Sequence, residues 1–300
     1  MNFQEFLKLY YEDMTPRLRE NTMRNKKYII DLKILPYFSN KRMNSITAAD
    51  IRKWQNELIS QGYSQTYLRT INNQLTAVFN YAVRYYDLQN NPCRKAGGMG
   101  KNKADEMKFW TKDEFYKFID SIMDKQKSYA AFMTLFWTGM RLGELLALTP
   151  ADIDFENKTI SISKSYQRID GKDVITLPKT PKSKRTINVP DFLLADLKDY
   201  MNSIYCLEDT DRLFQVTKYF MEHEMQRGIK NSGVKRIKIH DIRHSHCALL
   251  FEMGITPLEV ADRLGHERVE TTMNVYAHIY PNKQRALSDK LEKVYREDLK

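Results

Sequence analysis

The sequence predicts a mainly α-helical (α+β) chain of two domains, with a small antiparallel β-sheet inside the second. Three observations carry this. Apolar residues recur at helical spacing through residues 1–95 and again from Trp110 onward. Between Lys158 and Val189 the pattern changes to alternation of apolar and polar residues, as in half-buried strands. A stretch rich in Gly and Lys, residues 96–108, separates the two helical regions and reads as a basic interdomain linker. The domains expected are therefore 1–95 and 109–300, and 300 residues at 42% hydrophobic content suffice for both cores.

The elements follow in order. Phe3, Phe6, Leu7, Tyr10 and Tyr11 share a helical face. A second helix runs from Thr22 to Leu35 and stops before Pro36. Thr47-Ala48-Ala49-Asp50 is a capping box that opens a helix with Ile51, Trp54, Leu58 and Ile59 on one side, and Gly62 ends it. Ser64 caps a long helix through Leu68, Ile71, Leu75, Val78, Phe79 and Ala82. These helices make an all-α domain. The second domain opens at Trp110 with the capping box Thr111–Glu114, followed by helical spacing to Trp137. About three strands are expected, near Thr159–Ser163, Val174–Leu177 and Arg185–Val189, with a hairpin over 164–174. Helices resume at Asp191. Near the end, Leu287, Leu291, Val294 and Tyr295 form an apolar stripe.

Charge narrows the partner. Lys and Arg number 48 against 38 Asp and Glu, a net charge of +10. Residues 1–100 carry +7 of this, 101–110 carry +1 and 111–300 carry +2. A basic first domain fits a polyanion as well as simple solubility. Cys93, Cys206 and Cys247 are far apart and odd in number, so neither a disulfide framework nor a zinc site is expected. No signal peptide or membrane span is read, and the expected location is the cytoplasm.

Four clusters carry chemistry. Arg141 stands in the turn Gly139–Gly143 before a helix, with Glu144 three residues on. Its planar fork suits a phosphate, although a surface ion pair would look the same. His240 and Arg243 are spaced to share a helix face, which brings a proton carrier beside a charge clamp. His244 and His246 nearby read as structural. His266 follows Gly265 at a turn after the helix Leu258–Leu264, and Tyr276 comes ten residues later. Lys179 lies between Pro178 and Thr180 at a hairpin tip, in a run with Lys182, Lys184 and Arg185. A lysine there can donate a proton to a leaving group. Lys101, Lys103, Lys182, Lys184 and Arg185 are candidate DNA contacts.

Taken in order, Arg141, Lys179, His240, Arg243, His266 and Tyr276 resemble the active-site set of the tyrosine recombinase (phage integrase) family. The phrases TGMRLGELLAL, HDIRHSH and LGHERVETTMNVYAH resemble its three boxes. The resemblance covers about residues 107–285, and the N-terminal helices look like the family's SAM-like core-binding domain. It implies that Tyr276 attacks the scissile phosphate to form a 3′-phosphotyrosyl link and free a 5′-hydroxyl. It implies that Arg141 and Arg243 hold the phosphate oxygens, Lys179 serves as general acid, His240 assists proton transfer at the nucleophile, and His266 bonds the phosphate. Lys182 and Lys184 compete with Lys179 for its role, and Tyr280 with Tyr276. No metal, cofactor or ATP is required, because arginines neutralise the phosphate and the phosphotyrosine conserves the bond energy.

The implied partner is double-stranded DNA held in a C-shaped clamp, with a homotetramer on DNA and possible accessory bending or excision factors. The chain starts at the core-binding helices, without the arm-binding domain many such integrases carry, so a two-domain enzyme and a truncated form are both open. The tail stripe would dock on its own domain or a neighbour's. The function implied is integration or excision of a mobile element, acting at the nucleoid. A Xer-like dimer-resolving recombinase and a non-catalytic DNA-binding regulator on the same fold are the alternatives. A type IB topoisomerase shares the chemistry but not the layout, and a metal-dependent nuclease lacks its carboxylate cluster.

Overall fold

The computed structural model describes residues 1–101, 107–178, 181–270, 272, 273, 292 and 295. The chain divides into two compact units, Met1–Glu106 and Met107–Lys300.

In the first unit, helix α1 (Phe3–Met14) is opened by Asn2. Its side chain accepts from the Glu5 N–H, and the Glu5 carboxylate accepts from the Asn2 N–H, both at 2.8 Å. Helix α2 (Glu20–Lys33) is followed by the single turn α3 (Leu35–Phe38). The stop expected at Pro36 is thus only a break. Pro36 sits in the first turn of α3, where its missing N–H has no helical acceptor to lose. Helices α4 (Ala48–Ser60) and α5 (Gln65–Tyr85) start at Thr47 and Ser64, as their caps predict. Phe3, Phe38, Trp54 and Phe79 fill the core, and the Trp54 indole donates to the Lys33 carbonyl at 2.8 Å. Ile59, read onto the apolar face of α4, is exposed instead.

The first unit continues past residue 95. Helix α6 (Pro92–Ala96) places Cys93 and Ala96, and then Met99, in the same core. Asn91 fixes it. Its carboxamide oxygen accepts from the Cys93 N–H at 2.8 Å, and its amide donates to the Thr76 carbonyl and to Asn80. Among so many glycines and lysines, these few small apolar residues leave no periodic signal. Lys101 is exposed, and residues 102–106, Lys103 included, lie outside the described residues.

The second unit begins with α7 (Lys112–Asp120), α8 (Gln126–Thr138) and the short α9 (Leu142–Leu145). The Thr111–Glu114 capping box is present. Strands β1 (Ile153–Asp154), β2 (Thr159–Ile162), β3 (Ser165–Ile169), β4 (Lys172–Thr176) and β5 (Arg185–Asn188) follow. Among the described residues they form two antiparallel sheets rather than one. One has the order β1-β2-β5, with Ile160 opposite Ile187; the other is the β3–β4 hairpin, with Ile169 opposite Lys172. Strand β3 (Ser-Tyr-Gln-Arg-Ile), with Tyr166 and Ile169 buried, lies in the hairpin expected over 164–174, whereas the two-residue β1 was not expected.

Helices α10 (Asp191–Asn202), α11 (Lys218–Ser232), α12 (Asp241–Glu252) and α13 (Pro257–Leu264) complete the described part. Phe115 stacks on Phe136 at 3.8 Å in the core of this unit. The Trp110 N–H donates to the Ser245 hydroxyl at 2.8 Å, so the entry of the unit is anchored on α12. Among the described residues no helix is long and apolar enough to cross a membrane. Leu287, Leu291 and Val294 lie outside the described residues; Tyr295 is exposed.

Candidate active site

The site is built around the end of α8. Gly139 closes that helix in the left-handed conformation, φ 65°. A Cβ on it would fall 2.5 Å from His246 Cδ2 and 2.6 Å from Leu264 Cδ2, so only glycine fits. The sharp turn presents the Gly139 carbonyl to the N-terminal turn of α12.

Arg243 uses that carbonyl. Its side chain is 3% exposed. Its Nη1 donates to the Gly139 oxygen at 2.8 Å and its Nη2 to the Leu264 oxygen at 2.7 Å. Two of its five N–H groups therefore aim the guanidinium plane. Burial first, and then Arg141 and Arg185, push its pKa down to about 9, which leaves it charged at neutral pH.

Arg141 precedes α9, with its side chain 38% exposed. Its backbone N–H donates to Glu144 Oε2 at 2.9 Å and its Nη1 to Oε1 at 2.7 Å. Glu144 is buried. Burial alone would raise its carboxyl, but Arg185 and Arg141 draw it below the usual range. Glu144 thus tethers Arg141, and its carboxylate is buried rather than on the surface.

Both candidate histidines have lowered pKa values. His240 lies at the start of α12, and its pKa is lowered by burial, then by Arg243 and Arg141. Its ring meets His244 edge to face at 5.4 Å. His266 follows the left-handed Gly265 that ends α13. Its Nδ1 pairs with the Thr272 hydroxyl at 2.7 Å, and burial, Arg243 and Arg141 push its pKa down to about 3. Both histidines feel both arginines, so the four side chains form one electrostatic neighbourhood. His246 is buried, as expected of a structural residue.

Lys179, Tyr276 and Tyr280 lie outside the described residues. Lys182 and Lys184 are exposed. Arg185 differs from those exposed lysines: its side chain is only 7% exposed and its guanidinium is engaged by protein acceptors. Two further residues escaped sequence reasoning. Arg263 donates to His246 Nε2, Asn188 O and Trp137 O, joining α13 to α8 and the end of β5. Thr272 holds the His266 ring. A single Arg on an amphipathic helix and a threonine six residues from a histidine carry no local signal. Among the described residues no cluster of three or more His, Cys, Asp or Glu side chains could hold a metal.

The family to which the chain is matched makes it a tyrosine-type site-specific DNA recombinase. The profile of the phage integrase N-terminal SAM-like domain matches residues 2–59, and that of the phage integrase family matches residues 108–283. The chain belongs to the phage integrase family. It is 33% identical over 306 residues to the ICEBs1 integrase of Bacillus subtilis (strain 168), covering 97% of this chain and 83% of that one. In fold it is similar to the Tn1549 transposon integrase solved with a circular intermediate DNA (TM-score 0.79, 21% identity, 95% of this chain and 99% of that one). It is also similar in fold to lambda integrase, solved as a tetramer bound to a Holliday junction (TM-score 0.70, 17% identity, 92% and 77%). Its function is that of a site-specific integrase of a mobile element.

Proposed function

We propose that this integrase cleaves each strand by attack of the Tyr276 hydroxyl on the scissile phosphate. A bond forms between the tyrosine oxygen and phosphorus, and the bond to the 5′-oxygen breaks. The products are a 3′-phosphotyrosine and a 5′-hydroxyl. Arg141 and Arg243 hold the non-bridging oxygens as charge builds on them. His240, neutral at working pH, takes the tyrosine proton; Lys179 protonates the leaving oxygen; His266 bonds the phosphate. The reverse reaction on a new 5′-hydroxyl rejoins the strand with no external energy source.

The observation that carries this reading is the fixed guanidinium of Arg243. Three arginines, Arg243, Arg141 and Arg185, lie about the buried carboxylate of Glu144, so the cluster carries an excess of positive charge that a further anion would balance. A phosphodiester is the anion it fits. Double-stranded DNA is the partner, and the charge of +7 on residues 1–100 supports a backbone-tracking role for the first domain. Lys101, Lys103, Lys182 and Lys184 supply further phosphate contacts. Recombining two duplexes breaks four strands, and one nucleophile per chain then calls for a homotetramer on DNA, with accessory factors free to bend the sites. The work is done at the nucleoid, in the cytoplasm.

The test is a nicked duplex carrying the end of the element that encodes this chain, incubated with wild type and with Tyr276→Phe. Wild type is expected to form a denaturant-resistant protein–DNA adduct and the variant none. Tight binding by both without any adduct would overturn the reading.

A further inference from the structure

Arg185 begins β5. Three of its N–H groups are taken by three different segments. Nη2 donates to Glu144 Oε2 at 3.0 Å, Nε to the Arg263 carbonyl at 3.0 Å, and Nη1 to the Ser183 carbonyl at 3.2 Å. The turn before His266 rests on the same side chain. A Cβ on Gly265 would meet the Lys182 carbonyl at 2.7 Å and Arg185 Cδ at 3.1 Å. One buried guanidinium thus joins the turn at Ser183, the Arg141–Glu144 turn and the α13–His266 turn. Glu144 in turn binds both the backbone and the side chain of Arg141, so a shift of Glu144 moves Arg141.

We propose that Arg185 is a positioning residue for strand cleavage, holding Glu144, and through it Arg141, in register with the turn that carries His266. The proposal rests on the phosphate-clamp reading of Arg141 given above. Arg185 acts through its planar fork, which serves acceptors in three directions at once. A lysine ammonium is a compact point charge on a flexible stem and cannot reproduce that geometry.

The test compares wild type, Arg141→Ala, Arg185→Lys and Arg185→Met on two nicked duplexes of the same recombination site. One has an ordinary scissile phosphodiester; the other has a neutral methylphosphonate there, which removes the charge that Arg141 is there to balance. Adduct formation is followed in a single turnover, with DNA binding and thermal melting measured alongside. Both Arg185 variants are expected to bind DNA and to lose about a hundredfold in adduct rate on the phosphodiester, the size of a misplacement effect. On the methylphosphonate they are expected to run within a few-fold of wild type, as Arg141→Ala does. If Arg185→Met melts below the assay temperature, Arg185→Lys, which keeps the buried cation, decides. Equal slowing on both duplexes, or no slowing, would overturn the role of Arg185. If Arg141→Ala itself fails to separate the two duplexes, the phosphate-clamp reading is what falls.

Discussion

Arg243 Nη2 donates to the Leu264 carbonyl at 2.7 Å, across 21 residues of chain. This one bond ties the helix that begins at His240 to the turn that leads into His266. The bond from Nη1 to Gly139 adds the turn that leads into Arg141. The residue assigned to the phosphate is therefore also what aligns its neighbours.

Arg243→Lys is expected to damage both roles. One ammonium cannot serve two carbonyls that lie in different directions, and a buried carbonyl left without a donor costs roughly 1–3 kcal/mol. Urea unfolding should show that loss, and single-turnover adduct formation should fall by about a hundredfold or more. Wild-type stability with only the rate reduced would mean that the two carbonyl bonds contribute little to folding.

Gly139→Ala is expected to destabilise the second domain by about 2 kcal/mol or more, since the strain of a positive φ adds to overpacking. The new methyl would meet the His246 ring and Leu264 at 2.5 and 2.6 Å. A melting temperature equal to wild type would contradict the turn described here.

Much of the fold and site was legible in the sequence because it is written locally. The boxes at Thr47 and Thr111 are spacing rules satisfied within one turn, and both are present. The spacing His240 to Arg243 correctly put both at the start of one helix. The exceptions are long-range. Arg185 looked like one more cation in a basic run, and only the fold brings Glu144 and the Arg263 carbonyl to it, 41 and 78 residues away. Strand β1 escaped because it is two residues long and only its pairing with β2 defines it. Ala96 and Met99, within the stretch read as linker, belong to the core of the first unit without any periodic pattern of their own.

Stability should fall on mild acidification. His246 is 2% exposed, and burial, then the charge of Arg263, push its pKa down to about 3 from an ordinary 6.5. Between those values the unfolded chain binds the proton and the folded one does not, so stability is complete above about pH 6.5 and is lost progressively toward pH 3. Such a histidine contributes about 1.4 kcal/mol per pH unit in that window. His244 and His266, also lowered, act with the same sign. The urea midpoint is expected to drop between about pH 7.5 and 5.5, where ordinary carboxylates are silent, and His246→Asn should flatten the change. A midpoint that does not move over this range would contradict the assignment of neutral buried histidines.

The exposed pair Lys182 and Lys184 should act on affinity alone. Changing both to Ala is expected to lower the slope of log binding constant against log salt by about 2, with equal effect on specific and unrelated duplexes. An unchanged slope would remove them from the DNA interface.

The most direct measurement is the identity of the tyrosine joined to DNA. Wild-type protein is trapped on the nicked duplex, digested, and the nucleotide-linked peptide is sequenced by mass spectrometry. The account predicts a 3′-phosphate on Tyr276. A 3′-phosphate on Tyr280 or any other residue, or a linkage to a 5′-phosphate, would contradict it.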